Sequence, residues 1–114
     1  LGLHYRVSKL AAADCSASMA KTYDIEVWIP SMGDYKEVSS ASNANDYQAR
    51  RGNMRFRRKE TKKIELLHTL NASGLATSRV IPAIAEQFQK PDGSVIVPEV
   101  LRKWVKKDVL KLGS

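Results

Sequence analysis

Arg79 is the side chain of this sequence best placed for chemistry. It follows a run of small and backbone-bonding residues, Asn71-Ala72-Ser73-Gly74, and opens a segment in which Val80, Ile81, Ile84, Ala85 and Phe88 recur at helical spacing. A guanidinium at the head of a helix, among amide groups without intrahelical partners, suits an anion such as a triphosphate. Asn71 and Ser73 add polar side chains in a turn where main chain or ligand can come close. Glu37 and Ser40 offer a carboxylate and a hydroxyl, hard oxygens of the kind Mg²⁺ accepts, although a strand glutamate and a serine do not by themselves identify a metal. Asp24, Glu26 and Trp28 alternate with Ile25, Val27 and Ile29, so two acids and an aromatic share one face. That face is either a polar cleft or the wetter side of an antiparallel sheet. The cations Arg50, Arg51, Arg55, Arg57, Arg58, Lys59, Lys62 and Lys63 fall within fourteen residues that hold one acid, Glu60. Such a run is either a solvated hairpin or a phosphate-binding edge.

The elements that must position these groups follow from period and punctuation. Tyr5 and Val7 alternate with Arg6 and Ser8, which predicts a strand from about His4 to Leu10. Ala11 to Tyr23 reads as a loop with a short helix. A strand over Tyr23 to Ile29 ends at Pro30, and Ser31-Met32-Gly33-Asp34 turns the chain into a return strand over Tyr35 to Ser40. Residues i and i+3 of a regular strand point to opposite faces, so Glu37 and Ser40 can converge only if this strand bulges or ends before Ser40. Asn43 to Arg51 suits a short helix capped by Asn45 or Asp46 and stopped by Gly52-Asn53. Met54 to Arg57 and a strand ending near Leu70 form the basic hairpin around a turn at Arg58 to Lys63. Pro82 falls in the first turn of the following helix if Ser78 caps it, and bends that helix if it starts near Gly74. Either start places Glu86 two turns beyond Arg79 on the same face. Pro91-Asp92-Gly93 is a turn, Ser94 to Val97 a short strand, and Pro98 the first residue of a last helix. In that helix Val100, Leu101, Trp104 and Val105 form an apolar stripe with Trp104 in the core, beside a basic tail of Lys103, Lys106, Lys107 and Lys111.

These 114 residues, 43% hydrophobic and 27% charged, have the length and composition of one globular domain. Adjacent strand pairs favour an α+β fold, an antiparallel sheet packed against the helix after Ser78 and the C-terminal helix, over a doubly wound parallel sheet. No apolar run approaches a membrane span, and no secretory signal opens the sequence, so no membrane partner is expected. Cys15 stands alone, which excludes a disulfide framework and fits a reducing compartment. A net charge of +7 favours an anionic partner.

Four ordered blocks narrow the function. Asn71-x-Ser73-Gly74-Leu75-Ala76-x-x-Arg79, preceded by His68-Thr69-Leu70, resembles the third signature motif of seryl-tRNA synthetases, the class II enzymes that charge tRNA with serine. Lys21-Thr22-Tyr23-Asp24-Ile25-Glu26-Val27-Trp28, Glu37-Val38-Ser39-Ser40-Ala41-Ser42-Asn43 and Gln48-Ala49-Arg50-Arg51 match the same family in order. The resemblance implies that residues 1–114 are the C-terminal portion of a class II catalytic domain, with the motif at about 68–89. The N-terminal tRNA-binding arm and the first two signature motifs are not among these residues, so the isolated chain is expected to be inactive.

By the same resemblance the parent activates serine with ATP and transfers it to the 3′ end of tRNA(Ser), and is a homodimer. Arg79 would bind the γ-phosphate as the catalytic arginine, Glu37 and Ser40 would hold Mg²⁺ against the phosphates, and Asn71 and Ser73 would line the serine pocket. The edge carrying Arg50, Arg51, Arg55, Arg57, Arg58, Lys62 and Lys63 would lie beside ATP and the tRNA acceptor end. Ala72 stands where many members carry Gly, which bears on the turn that aims Asn71 and Ser73. Ala41 and Ala44 take places often held by Cys. The Ser39 to Asn43 variant, the Asn71-Ala72 pair and the C-terminal extension slightly favour a mitochondrial over a cytoplasmic member. A different class of function also fits: a non-catalytic paralogue or basic RNA-binding module retaining the fold.

Overall fold

The first extended segment is β1 (Tyr5–Lys9), and the next is β2 (Lys21–Ile29), which a 3₁₀ turn at Pro30–Met32 folds back into β3 (Asp34–Asn43). Gly33 closes that turn in the left-handed region at φ 59°, its N–H donating to the Ile29 and Pro30 carbonyls. The short helix α1 (Tyr47–Gly52) ends on Asn53, also left-handed. Next come the hairpin strands β4 (Arg55–Arg57) and β5 (Ile64–Leu66), then β6 (Leu70–Ala72) and helix α2 (Thr77–Gln87). The C-terminal part holds β7 (Val95–Ile96), a 3₁₀ turn at Glu99–Leu101, α3 (Arg102–Val105) and β8 (Val109–Leu110). This computed structural model describes residues 1–11 and 15–113.

The strands form one four-stranded sheet in the order β1-β2-β3-β6 and two ribbons, β4-β5 and β7-β8. The fold is therefore α+β with antiparallel pairing, as the adjacent strand signals predict. The chain divides into two compact units. The first comprises residues 1–6, 25–38 and 75–114; the second comprises 7–24 and 39–74. Strands β1, β2 and β3 each contribute to both.

Val27, Ile29, Val38, Val80 and Ala83 make the core of the first unit, with Leu3, Ile25 and Ile84 against it. Burying each valine or isoleucine contributes about 1.5–3 kcal/mol. Ile25, Val27 and Ile29 share a face as the alternation predicts. Helix α2 meets this core along Val80, Ala83 and Ile84, whereas Ile81, expected in the core, is 65% exposed. The reason lies at the helix start. Ala76, not Ser78, is the N-cap, and its N–H donates to the Val38 carbonyl at 2.7 Å. The first turn is thereby bound to β3, in a rotation that turns Ile81 outward. Pro82 becomes the sixth residue of the helix, beyond the first turn, so the Ser78 carbonyl receives no N–H from it.

The second unit buries small and polar residues: Thr22, Asp24, Ser39, Ala44 and Ala49. In β2 the buried positions are 22 and 24, then 27 and 29, so the buried parity changes within the strand. In β3 the neighbours Val38 and Ser39 are both buried, and the strand runs through Ser40 instead of ending before it. The strand expected to continue to Leu70 stops at Leu66. Leu67 N–H donates to the Met54 carbonyl and Thr69 N–H to the Asn45 carbonyl, carrying the chain across to pair with β3. Residues 70–72, expected as the end of that strand and the start of a turn, are the separate strand β6.

Three further expectations are corrected. β2 begins at Lys21, and no helix occurs between Ala11 and Tyr23 among the described residues; residues 12–14 lie outside them. The last helix is only four residues long, because Lys106 takes a left-handed conformation and the Val97 N–H bonds to the Asp108 carbonyl, committing the chain to the β7-β8 ribbon. Its stripe is not core: Trp104 is 66% exposed, and Val100 and Val105 are exposed too.

Candidate functional site

In the first unit the start of α2 sets Arg79. Its backbone N–H donates to Ala76, and its Nη1 donates to the Glu37 backbone carbonyl at 2.8 Å. The sequence thus brings Arg79 and Glu37 together, but through the glutamate's carbonyl and not its carboxylate. Arg79 is otherwise exposed, with four guanidinium N–H groups that no protein acceptor takes among the described residues. A cation in the first helical turn opposes the helix dipole, a cost that the Glu37 carbonyl offsets in part and that a polyanion would reverse. Glu86, expected on the Arg79 face, is engaged elsewhere: it accepts from the Ser31 N–H at 2.9 Å and the Ser31 hydroxyl at 2.6 Å. Those two bonds, hydroxyl first, hold its carboxyl below the usual carboxylate range.

The face of β2 with Glu26 and Trp28 is neither an empty cleft nor a bare wet surface. Glu26 pairs with Arg6, which lies 4.1 Å above the Tyr35 ring. Trp28 packs edge-on against Tyr35 at 5.2 Å, and the Tyr35 hydroxyl lies 3.0 Å from His4 Nε2. Gln87 from α2 donates to the Trp28 carbonyl at 2.6 Å, tying the helix to this strand. Period-two reading could not find this cluster, because Arg6 and Tyr35 come from other strands and His4 from the segment before β1.

In the second unit the β3-β6 register decides which side chains share a face. Ala41 pairs with Ala72, Ser42 with Asn71 and Asn43 with Leu70. The Thr22 and Ser42 hydroxyls lie 2.8 Å apart. Thr22, Ser42 and Asn71 therefore stand on one face, and by the strand period so do Asp24 and Ser40. Ala41, Asn43, Leu70 and Ala72 take the opposite face, and together with Lys21, Tyr23, Ser42 and Asn71 they line a surface cavity of about 330 Å³. The Lys21 ammonium, 5.0 Å from the Tyr23 ring centroid, holds the Tyr23 phenol below its ordinary pKa. Asn71 and Ser73 are exposed, and the Ser73 carbonyl accepts from the Ser39 hydroxyl at 2.7 Å. That bond fixes the backbone at Ser73, directly after the strand β6 that carries Asn71. Its signal in the sequence is the run Ser39-Ser40-Ala41-Ser42, too small and polar for an ordinary half-buried strand. Asp24 is 8% exposed, so its face is not a wet one.

The basic edge is partly spent on the protein itself. Arg50 pairs with Asp46 at 3.3 Å, Arg51 stacks on Tyr47, and the two arginines with Tyr47 line a cavity of about 340 Å³. Arg57 donates to the Lys62 carbonyl, and Arg58 pairs with Glu65 while lying over Phe56. Arg55, Lys62 and Lys63 are exposed. Exposed ion pairs of this kind contribute about 0–1 kcal/mol each, so they leave the edge available to phosphates.

The model of the class II tRNA synthetase core domain for Gly, His, Pro, Ser and Thr matches residues 1–88. The chain belongs to this family. Within it, the chain is similar to serine–tRNA ligases: 83% identical over 96% of its length to serine–tRNA ligase 2 of Clostridium acetobutylicum, and 60% identical over 97% to the enzyme of Caldicellulosiruptor bescii. It spans about a quarter, 26%, of either relative. Its fold superposes on the seryl-tRNA synthetase of Pyrococcus horikoshii complexed with ATP, at TM-score 0.85 and 47% identity over 92% of the chain and 24% of the other. The cytoplasmic serine–tRNA ligase of Naegleria fowleri in complex with AMP gives 0.83 and 34% over 96% and 26%. None of these names points to an organelle, so the mitochondrial expectation gains no support. No group of three or more His, Cys, Asp or Glu side chains is gathered among the described residues of this class II core segment. A Glu-Ser pair lies below that number.

Proposed function

We propose that this chain is the C-terminal portion of the catalytic domain of an intracellular serine–tRNA ligase, which activates serine with ATP and passes it to the 3′ end of tRNA(Ser). The observation that carries the proposal is 83% identity to such a ligase over 96% of the chain. It is supported by the exposed Arg79 fork beside the Glu37 carbonyl.

In this reading the chain's side chains position and neutralise more than they react. Arg79 binds the γ-phosphate of ATP; its planar fork suits a phosphate, and its anchorage by β3 and Ala76 limits what is lost on binding. Glu37 and Ser40 hold Mg²⁺, for which a carboxylate and a hydroxyl are fitting hard donors. When bound, that ion neutralises phosphate charge. Asn71 and Ser73 line the serine pocket, where a hydrogen-bonding partner for the substrate hydroxyl rejects alanine. Arg50, Arg51, Arg55, Arg57, Arg58, Lys62 and Lys63 contact ATP or the acceptor end of tRNA through phosphates, which supplies affinity without sequence information. The parent works as a homodimer.

The test is serine-dependent exchange of pyrophosphate into ATP by the full-length polypeptide carrying this chain, with alanine and threonine as competitors, followed by charging of tRNA(Ser). Exchange with serine is expected to exceed that with either competitor. A folded full-length protein that binds RNA but shows no exchange overturns the proposal in favour of a non-catalytic paralogue.

A further inference from the structure

Asp24 is more than nine-tenths buried, and its Oδ1 has no hydrogen-bond partner among the described residues. Leaving a carboxylate oxygen buried and unpaired is costly, and folded proteins pair such atoms almost without exception. Its surroundings in the second unit say what could pair it. The hydroxyls of Thr22 and Ser42 bond at 2.8 Å across the neighbouring strands β2 and β3, one donating and the other accepting. Two residues further along each strand, on the same face, stand Asp24 and Ser40. Ser40 is a neutral hydroxyl. To give a lone pair to a cation it must send its proton to another acceptor, and the water such a cation retains needs acceptors as well.

We propose that Asp24 is a positioning residue for the cation site of Ser40. With the ion bound, its Oδ1, unpaired without it, would accept a hydrogen bond from the Ser40 hydroxyl or from water on the ion, and so aim the serine oxygen at Mg²⁺. Outer partners of this kind orient metal ligands and tune affinity without touching the metal. They also explain why a carboxylate stays in the small polar interior of the second unit. The inference rests on Ser40 as a Mg²⁺ ligand.

The experiment uses the full-length polypeptide and two readouts: the melting temperature without ligand, and the Mg²⁺ concentration at half-maximal ATP-dependent rise in melting temperature. Asp24→Asn is expected to raise that concentration about 10- to 100-fold, the usual effect of removing an outer partner. Excess Mg²⁺ should restore the full rise. The ligand-free melting temperature should stay level or increase, because the variant no longer buries an unpaired charge. A lower ligand-free melting temperature with an unchanged Mg²⁺ requirement makes Asp24 merely structural and overturns the proposal. Ser40→Ala separates the two layers. If it leaves the Mg²⁺ requirement unchanged, the reading of Ser40 fails; if it raises the requirement and Asp24→Asn does not, only the inference about Asp24 fails. Should Asp24→Asn not fold, Asp24→Glu keeps the charge and displaces it by one methylene. A normal Mg²⁺ requirement in that variant counts against the proposal, and a raised one supports it.

Discussion

Val27, Ile29, Val38 and Val80 fill the interior of the first unit, whereas the second unit buries Thr22, Asp24, Ser39, Ala44 and Ala49. The aliphatic set gains free energy by leaving water and asks nothing of its neighbours beyond shape. The polar set gains little by burial and must be hydrogen-bonded to break even, as Thr22 is to Ser42 and Ser39 to the Ser73 carbonyl. β2 and β3 contribute to both interiors, and the change falls between neighbouring residues in each: Asp24 to Ile25, and Val38 to Ser39. The same strands thus build a scaffold at one end and place polar side chains at the other. A buried polar interior costs stability that an aliphatic one does not, so the polar groups of the second unit are candidates for ligand-facing chemistry in addition to Arg79 of the first.

The largest effect should come from the charged group that the aliphatic unit presents. Arg79→Ala in the full-length polypeptide should reduce adenylate formation on the order of 10²–10³-fold, the range found when a donor to developing or transferred charge is removed. Arg79→Lys should recover only part, because a point charge does not replace a planar fork. Transfer of serine from preformed adenylate should suffer less, and the stability change should stay within about 0.5 kcal/mol, since Arg79 is exposed. Pre-steady-state rates of the two half-reactions, with melting temperature as the folding control, check this. An unchanged adenylation rate removes Arg79 from the ATP site.

The next two predictions set one interior against the other at adjacent positions. Val38→Ala deletes two methyl groups from a 2%-exposed site in the aliphatic core and should cost about 2 kcal/mol of stability. Ser39→Ala removes only a hydroxyl, whose acceptor, the Ser73 carbonyl, belongs to an exposed residue that water can reach; it should cost about 1 kcal/mol. It should also loosen the backbone at Ser73 and the end of β6 beside Asn71, and so raise KM for serine more than it lowers kcat. Denaturant unfolding of the two variants and serine kinetics of the second provide the comparison. A Ser39→Ala variant as destabilised as Val38→Ala would mean that the two interiors differ in composition but not in what holds them.

The contrast was only half visible in the sequence. Elements closed by local turn chemistry were legible: the return strand after the turn at Gly33, expected from Tyr35 and observed from Asp34, the β4-β5 ribbon around Arg58 to Lys63, and the helix stopped by Asn53. Their signals lie within a few residues of the structure they specify. β6 was misplaced because Asn71 and Ala72 have turn-forming chemistry but find strand partners in Ser42 and Ala41, some thirty residues away. Trp104 was assigned to a core because apolar spacing says that a stripe exists and not what covers it. At the candidate site, Arg79 was legible as a motif. The burial of Asp24 was not, since alternation assigns a residue to a face without saying how dry that face is.

The smallest effect concerns the polar periphery of the aliphatic unit and tests whether its ionised tether behaves unlike the buried carboxylate of the other. Glu86 accepts two hydrogen bonds from Ser31, and its pKa is lowered in the folded state, first by the hydroxyl and then by the backbone N–H. A carboxyl with a depressed folded pKa contributes stability that is present above its unfolded value, near 4.3, and lost as pH falls through the folded value. Glu86→Gln keeps an acceptor oxygen but has no proton to gain, so its contribution should not vary with pH. The melting temperature of the parent should therefore exceed that of the variant modestly at neutral pH, and the gap should close as the pH is lowered below about 4. Because the pair is near the surface, 0.5 M salt should narrow the neutral-pH gap only slightly if the two hydrogen bonds from Ser31 dominate, and strongly if the charge acts at a distance. A gap that widens on acidification would mean that protonating Glu86 strengthens its hold on Ser31. The α2 tether would then have to be reassigned from an anion accepting two bonds to a neutral acid donating one.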